Sequence, residues 1–177
     1  MIELLEALKS FSKATLDGIS LDSRGGGTSS PVFNAHIATV TRERQEPREE
    51  DFPLIVVRIL DSVDEGVDEQ NIPTVVTVQI IIGVWSEDIH VGGYVDIINC
   101  LTRLRSRLLS SMILAKKFRL TGKLEAHPFD EFADPFWFGE IISRWEIQHS
   151  IAAVMPGSDW RGASYPSSIK DDRGVKI

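Results

Sequence analysis

The sequence predicts an α+β domain: an antiparallel or mixed β-sheet with two main helices packed on one face. Three observations carry this. Two segments repeat apolar residues about every helical turn, near residues 2–18 and 94–111. Several short runs instead alternate or are β-branched, with turn residues between them. Finally, the chain has 177 residues, of which 42 % are hydrophobic and 25 % charged, enough for one ordinary core. A single domain over residues 1–155 is expected, followed by an arm or disordered tail over 156–177.

The elements follow in order. In residues 2–18, Ile2, Leu5, Leu8, Phe11 and Thr15 recur about one turn apart, with Leu4 and Leu16 beside them and Gly18 closing the helix. Residues 22–31 (DSRGGGTSSP) are loop by composition. Val32–Thr41 has weak β character, suited to a short edge strand, and the charged 42–51 run with Pro47 reads as solvated loop. Leu54–Leu60 is a β-branched strand whose one polar residue is Arg58. After an acidic turn region over 61–73, Thr74–Ser86 alternates Val76, Val78, Ile80, Ile82 and Val84 against Thr77, Gln79 and Gly83. The two runs make an antiparallel hairpin.

Gly92 and Gly93 break the chain before a helix at Tyr94–Ser111. Its expected buried stripe is Tyr94, Ile97, Ile98, Leu101, Leu104 and Leu108. Arg103 and Arg107 fall opposite that stripe, whereas Arg105 falls between Leu101 and Ile98. An unpaired buried charge is costly, so Arg105 must snorkel or find an acid, Glu140 and Glu146 being the expected partners. Phe118–Glu125 reads as a further strand, then a loop with Pro128 and Pro135. In the last strand, Phe136–Gln148, Ile141, Trp145 and Ile147 face one way and Glu140, Arg144 and Glu146 the other. The second sheet face therefore carries Arg58, Thr77, Gln79, Arg144 and Glu146, with Ile81 and Trp85 interleaved. It is either wet or covered by another subunit.

Chemistry is sparse in the pattern. There is no Walker A sequence, no G-x-S-x-G elbow and no H-E-x-x-H pair. The triple glycine at 25–27 lacks the strand-to-helix context of a phosphate cradle. His36, His90, His127 and His149 are dispersed, without metal spacing. Cys100, the one cysteine, falls at the edge of a helical stripe and reads as a small buried thiol. No cofactor or metal is expected. The acidic run Asp61, Asp64, Glu65, Asp68 and Glu69 is a solvated hairpin tip, a calcium site of spacing unlike an EF-hand, or a source of negative field lining a pore. Arg103, Arg105, Arg107, Lys116, Lys117 and Arg119 invite a nucleic-acid reading. However, the net charge of −7 and the small number of nearby aromatics oppose it. Trp160 and Tyr165 in the tail either anchor a partner or dock on their own domain. The first twenty residues lack a basic n-region and do not read as a signal peptide, and no apolar run is long enough to span a bilayer.

The ordered series SPVFNAHI (30–37), EEDFPLIVVRILD (49–61), VVTVQIIIGVWSED (75–88), GGYVDIINCLTRLRSRLL (92–109) and PFWFGEIISRWEIQ (135–148) resembles the tail terminator, or tail-completion, proteins of tailed bacteriophages. The likeness covers residues 30–148 and lies in the order of the motifs rather than in any one of them. It implies a non-enzymatic subunit of a hexameric ring in the virion neck, assembled in the host cytoplasm. Such a ring caps the tail tube protein, ends its polymerisation and meets the head connector or head-completion protein. DNA passes through it without specific binding, and six copies at −7 would carry −42. A head–tail adaptor or other neck protein, or a small enzyme with an unrecognised site, are the alternatives. The 42–50 loop and the 156–177 tail match no motif of the family. On this reading the acidic 61–69 hairpin faces the lumen or a tube-facing rim.

Overall fold

The computed structural model describes residues 1–21, 31–38, 48–64, 71–86, 92–129 and 135–150. They form helix α1 (Ile2–Leu16), strands β1 (Asn34–Ile37), β2 (Leu54–Asp64) and β3 (Asn71–Trp85), helix α2 (Gly92–Ser111), and strands β4 (Ile113–Leu114), β5 (Phe118–Pro128) and β6 (Phe136–Ser150). One mixed six-stranded sheet runs in the order β1-β2-β3-β6-β5-β4. Only β1–β2 is parallel; every other pairing is antiparallel. This is the α+β architecture that the sequence predicts.

Strand parity builds the core. On β3, Val76, Val78, Ile80, Ile82 and Val84 are fully buried, as alternation requires when one sheet face is covered. They join Ile55 and Val57 of β2, Ile141, Trp145 and Ile147 of β6, and Phe118 and Leu120 of β5 in one cluster beneath both helices. Helix α1 lies over β1 and β2, whereas α2 lies over β3, β5 and β6. Gly139 lets α2 pack close against β6: a Cβ there would stand 2.8 Å from Ile97 Cγ2 and 2.9 Å from Leu101 Cδ1.

Several local expectations are corrected. The hairpin strands are longer than their hydrophobic runs, so Asp61 and Asp64 sit in β2 rather than in a turn. Leu60 is left outside the ladder by a bulge between Ile59 and Asp61. A second irregularity, between Thr121 and Glu125, contains Gly122 at φ +64°, a left-handed conformation that glycine adopts without steric cost. On α1 the buried stripe is Leu4, Leu5, Leu8, Ser12, Thr15 and Leu16, and Ile2 is 74 % exposed. Helix α2 starts at Gly92, so the glycines that read as breakers form its first turn. Its stripe runs through Gly93, Asp96, Ile97, Cys100, Leu101, Leu104 and Leu108, which leaves Tyr94 exposed. β4 carries no sequence signal, because two residues are too few to show a period.

Candidate assembly surface

The sheet face away from the helices is set by the same parity. It displays Leu54, Val56 and Arg58 of β2, Thr77, Gln79, Ile81, Gly83 and Trp85 of β3, the even-numbered residues of β6 from Phe136 to Glu146, and Arg119, Thr121, Glu125 and His127 of β5. Neither α1 nor α2 lies over it.

One end of this face is aromatic. Phe52, just before β2, is only 3 % exposed, yet it lies outside the main core cluster. Its ring stacks on Phe136 with centroids 4.9 Å apart and meets Phe138 edge-on at 5.7 Å. Gly83 makes room for this: a Cβ on it would stand 2.8 Å from Phe52 Cε1 and 2.9 Å from Phe138 Cε1. The sequence includes Phe52 in the EEDFPLIVVRILD stretch, but the short flank before the strand shows no periodicity that would place the ring on this face. Ile81, Trp85 and Ile142 continue the apolar area and are half-buried.

The centre of the face is polar and paired with itself. Arg58 Nε donates to Gln79 Oε1, and Gln79 Nε2 donates to a Glu140 carboxylate oxygen, linking β2, β3 and β6. Gln79 is 6 % exposed, so its amide is satisfied at both ends where water has little access. Further along, Arg119 Nη2 donates to Glu146 Oε2 at 2.5 Å across β5 and β6. Lys123 bonds Glu125 and holds its carboxyl below the usual range. Such a face can be covered at modest cost, because its central polar groups already have partners.

The expected pairing of Arg105 with Glu140 or Glu146 is not what the structure holds. Both acids project from the face away from the helices, and their partners include Gln79 and Arg119. Arg105 is exposed on α2 and takes part in no ion pair among the described residues. The buried stripe loses Tyr94 and Ile98, gains Gly93, Asp96 and Cys100, and is centred near Leu104, which puts Arg105 roughly 100° around the helix from its middle. No burial cost arises.

Asp61 and Asp64 are exposed at the end of β2. Asp61 Oδ1 accepts from the Ser62 amide at 2.8 Å, and Asp64 Oδ1 from the Thr74 hydroxyl at 2.5 Å. Glu65, Asp68, Glu69, Trp160 and Tyr165 lie outside the described residues. Cys100 is buried, and burial foremost, with the Asp96 charge, pushes its thiol up to about 12. Among the described residues no three His, Cys, Asp or Glu side chains gather as metal ligands, and no helix is long and apolar enough to cross a membrane. Arg103 and Arg107 line a groove of about 460 Å³ between α2 and α1.

No protein-family profile matches this chain, and no curated protein matches it significantly.

Proposed function

We propose that the chain is a structural ring subunit of a tailed-bacteriophage tail, a terminator that caps the tail tube, ends its polymerisation and joins the tail to the head connector in the neck of the virion. The observation that carries this is the sheet face that neither α1 nor α2 covers. It is apolar and aromatic at one end and internally paired at its polar centre. A face of this composition gains by being covered. The ordered motifs over residues 30–148 supply the particular kind of ring. Function then lies in shape and contact: six copies enclose a bore whose overall negative charge lets DNA pass without adhering.

Imaging and light scattering of the purified full chain, alone and with tail tubes, test the reading. Six-fold rings seated on tube ends, with tube growth halted, are the expected result. Binding to the connector protein and not to tubes would move the chain to an adjacent neck ring. A protein that stays monomeric and leaves tube ends bare, or that turns over a substrate, would overturn the reading.

A further inference from the structure

The helix layer carries a second open surface. Helices α1 and α2 flank the groove of about 460 Å³, with Phe11, Ala14 and Thr15 on one wall and Arg103, Ser106 and Arg107 on the other. Among the described residues no acid lines it. Arg103 and Arg107 are exposed, and neither is in an ion pair among the described residues. They stand one helical turn apart, where like charges repel, so α2 itself gains when an anion comes between them.

The neutral groups add a second requirement. Thr15 Oγ1 donates to the Phe11 carbonyl oxygen at 2.8 Å, and Ser110 Oγ, also in the groove, donates to that of Ser106 at 2.8 Å. Both hydroxyls have used their one hydrogen, and the lone pairs they keep can only accept. The groove therefore presents guanidinium donors to anionic oxygens and hydroxyl acceptors to N–H groups. Half-buried Phe11 and exposed Ala14 add an apolar wall.

Carboxylates, N–H donors and apolar side chains occur together in a peptide. A phosphodiester backbone has no N–H, and two cations make too few phosphate contacts to hold a duplex on a chain of net charge −7. The same net charge opposes an anionic lipid surface. We infer that the groove between α1 and α2 docks an acidic peptide segment of a partner protein, its carboxylates on Arg103 and Arg107 and an apolar side chain against Phe11 and Ala14. The inference rests on the ring reading for the place of that partner. Both helices lie on the sheet face opposite to the one proposed for the neighbouring subunit, which leaves the groove to a protein outside the ring.

Fluorescence anisotropy on the full chain tests this with a labelled hexapeptide alternating glutamate and leucine. Its glutamine–leucine counterpart and a short DNA duplex are compared with it, and flotation with vesicles of anionic phospholipid completes the set. The glutamate peptide should bind. Binding should weaken about tenfold or more for the glutamine peptide, for Arg103→Gln/Arg107→Gln, and for Ala14→Glu, which sets an acid of the chain's own beside the arginines. Arg105→Gln, on the same helix but outside the groove, should bind as the wild type does. Circular dichroism verifies each fold, and the arginine pair carries the comparison if Ala14→Glu fails to fold.

Absence of saturable peptide binding up to about 1 mM overturns the inference. So does an equal loss in Arg105→Gln, which would make the effect one of overall charge. Duplex or vesicle binding that is tighter than the peptide's and is lost with the arginine pair overturns it in favour of nucleic acid or lipid. Light scattering separates the groove from the ring. Rings should persist in Arg103→Gln/Arg107→Gln while capture of tail tubes or of connector protein weakens, whereas loss of the rings themselves would give the groove to a second copy. A chain that binds the peptide but never forms rings refutes the ring and leaves the groove; rings that bind no peptide do the reverse.

Discussion

Gly93 lies against the indole of Trp137: a Cβ built on this glycine would stand 2.1 Å from Trp137 Cδ1 and 2.4 Å from Nε1. The contact joins the first turn of α2 to the start of β6, and both residues are buried. A glycine that is unfavourable in a helix by propensity is kept there by packing.

Gly93→Ala should therefore destabilise the fold by about 1–3 kcal/mol despite its better helix propensity, because the indole ring must shift within a packed layer. Urea unfolding measures this. Trp137→Leu in the same chain should recover part of the loss, giving a non-additive pair. An additive pair would mean that the ring does not press on Gly93.

Ile81→Lys should separate folding from assembly. Ile81 sits at the middle of the face away from the helices, half-buried beside the Arg58–Gln79–Glu140 chain. Placing a charge there should cost the monomer no more than about 1 kcal/mol, since the ammonium can reach solvent. Light scattering should nonetheless show assembly lost, because a covered face would bury an unpaired charge.

Arg105→Ala should change stability by less than about 0.5 kcal/mol, the ordinary effect of substituting an exposed residue with no ion pair among the described residues. Gln79→Ala should cost about 1–2 kcal/mol, because it removes the amide that joins Arg58 to Glu140. Thermal or urea unfolding of the two variants side by side reads the contrast, and reversal of their order would contradict the assignment of polar partners.

The Cys100 thiol implies a pH dependence at the alkaline end. Burial holds it protonated up to about 12, whereas in the unfolded chain it titrates near its ordinary value of 9.0. Between these values the unfolded state binds fewer protons, so stability falls as pH rises. The contribution is complete below pH 9 and declines above it, by about 1.4 kcal/mol per pH unit. Unfolding curves from pH 8 to 10.5 should show a slope that Cys100→Ala reduces. At pH 8 a thiol reagent should modify Cys100 only as fast as the fold opens.

The sheet face away from the helices was legible in Thr77, Gln79, Ile81 and Trp85, because the side-chain period of a strand is two and needs no distant information. Its detail was not. Gln79 reads only as a residue of a wet or subunit-covered face, and the juxtaposition of β2, β3 and β6 makes it a buried link between a cation and an anion. Phe52 precedes the regular strand and carries no pattern of its own, yet stacking on Phe136 and Phe138 makes it the aromatic anchor of that face.

By itself the sequence determined the α+β class, both helices, the β2–β3 hairpin, the alternation of β3 and β6, and the burial of Cys100. These depend on periodicities spanning a few residues. Tertiary structure alone decided the sheet order, the parallel edge strand β1, the helical place of Gly92 and Gly93, and the partners of Glu140 and Glu146. A wheel drawn from residue types centres an apolar stripe on its own residues, whereas the sheet beneath α2 centres it near Leu104 and leaves Arg105 in water. Long-range register determines which side chains meet, and that register comes from the packing of the whole sheet against its helices rather than from any one segment.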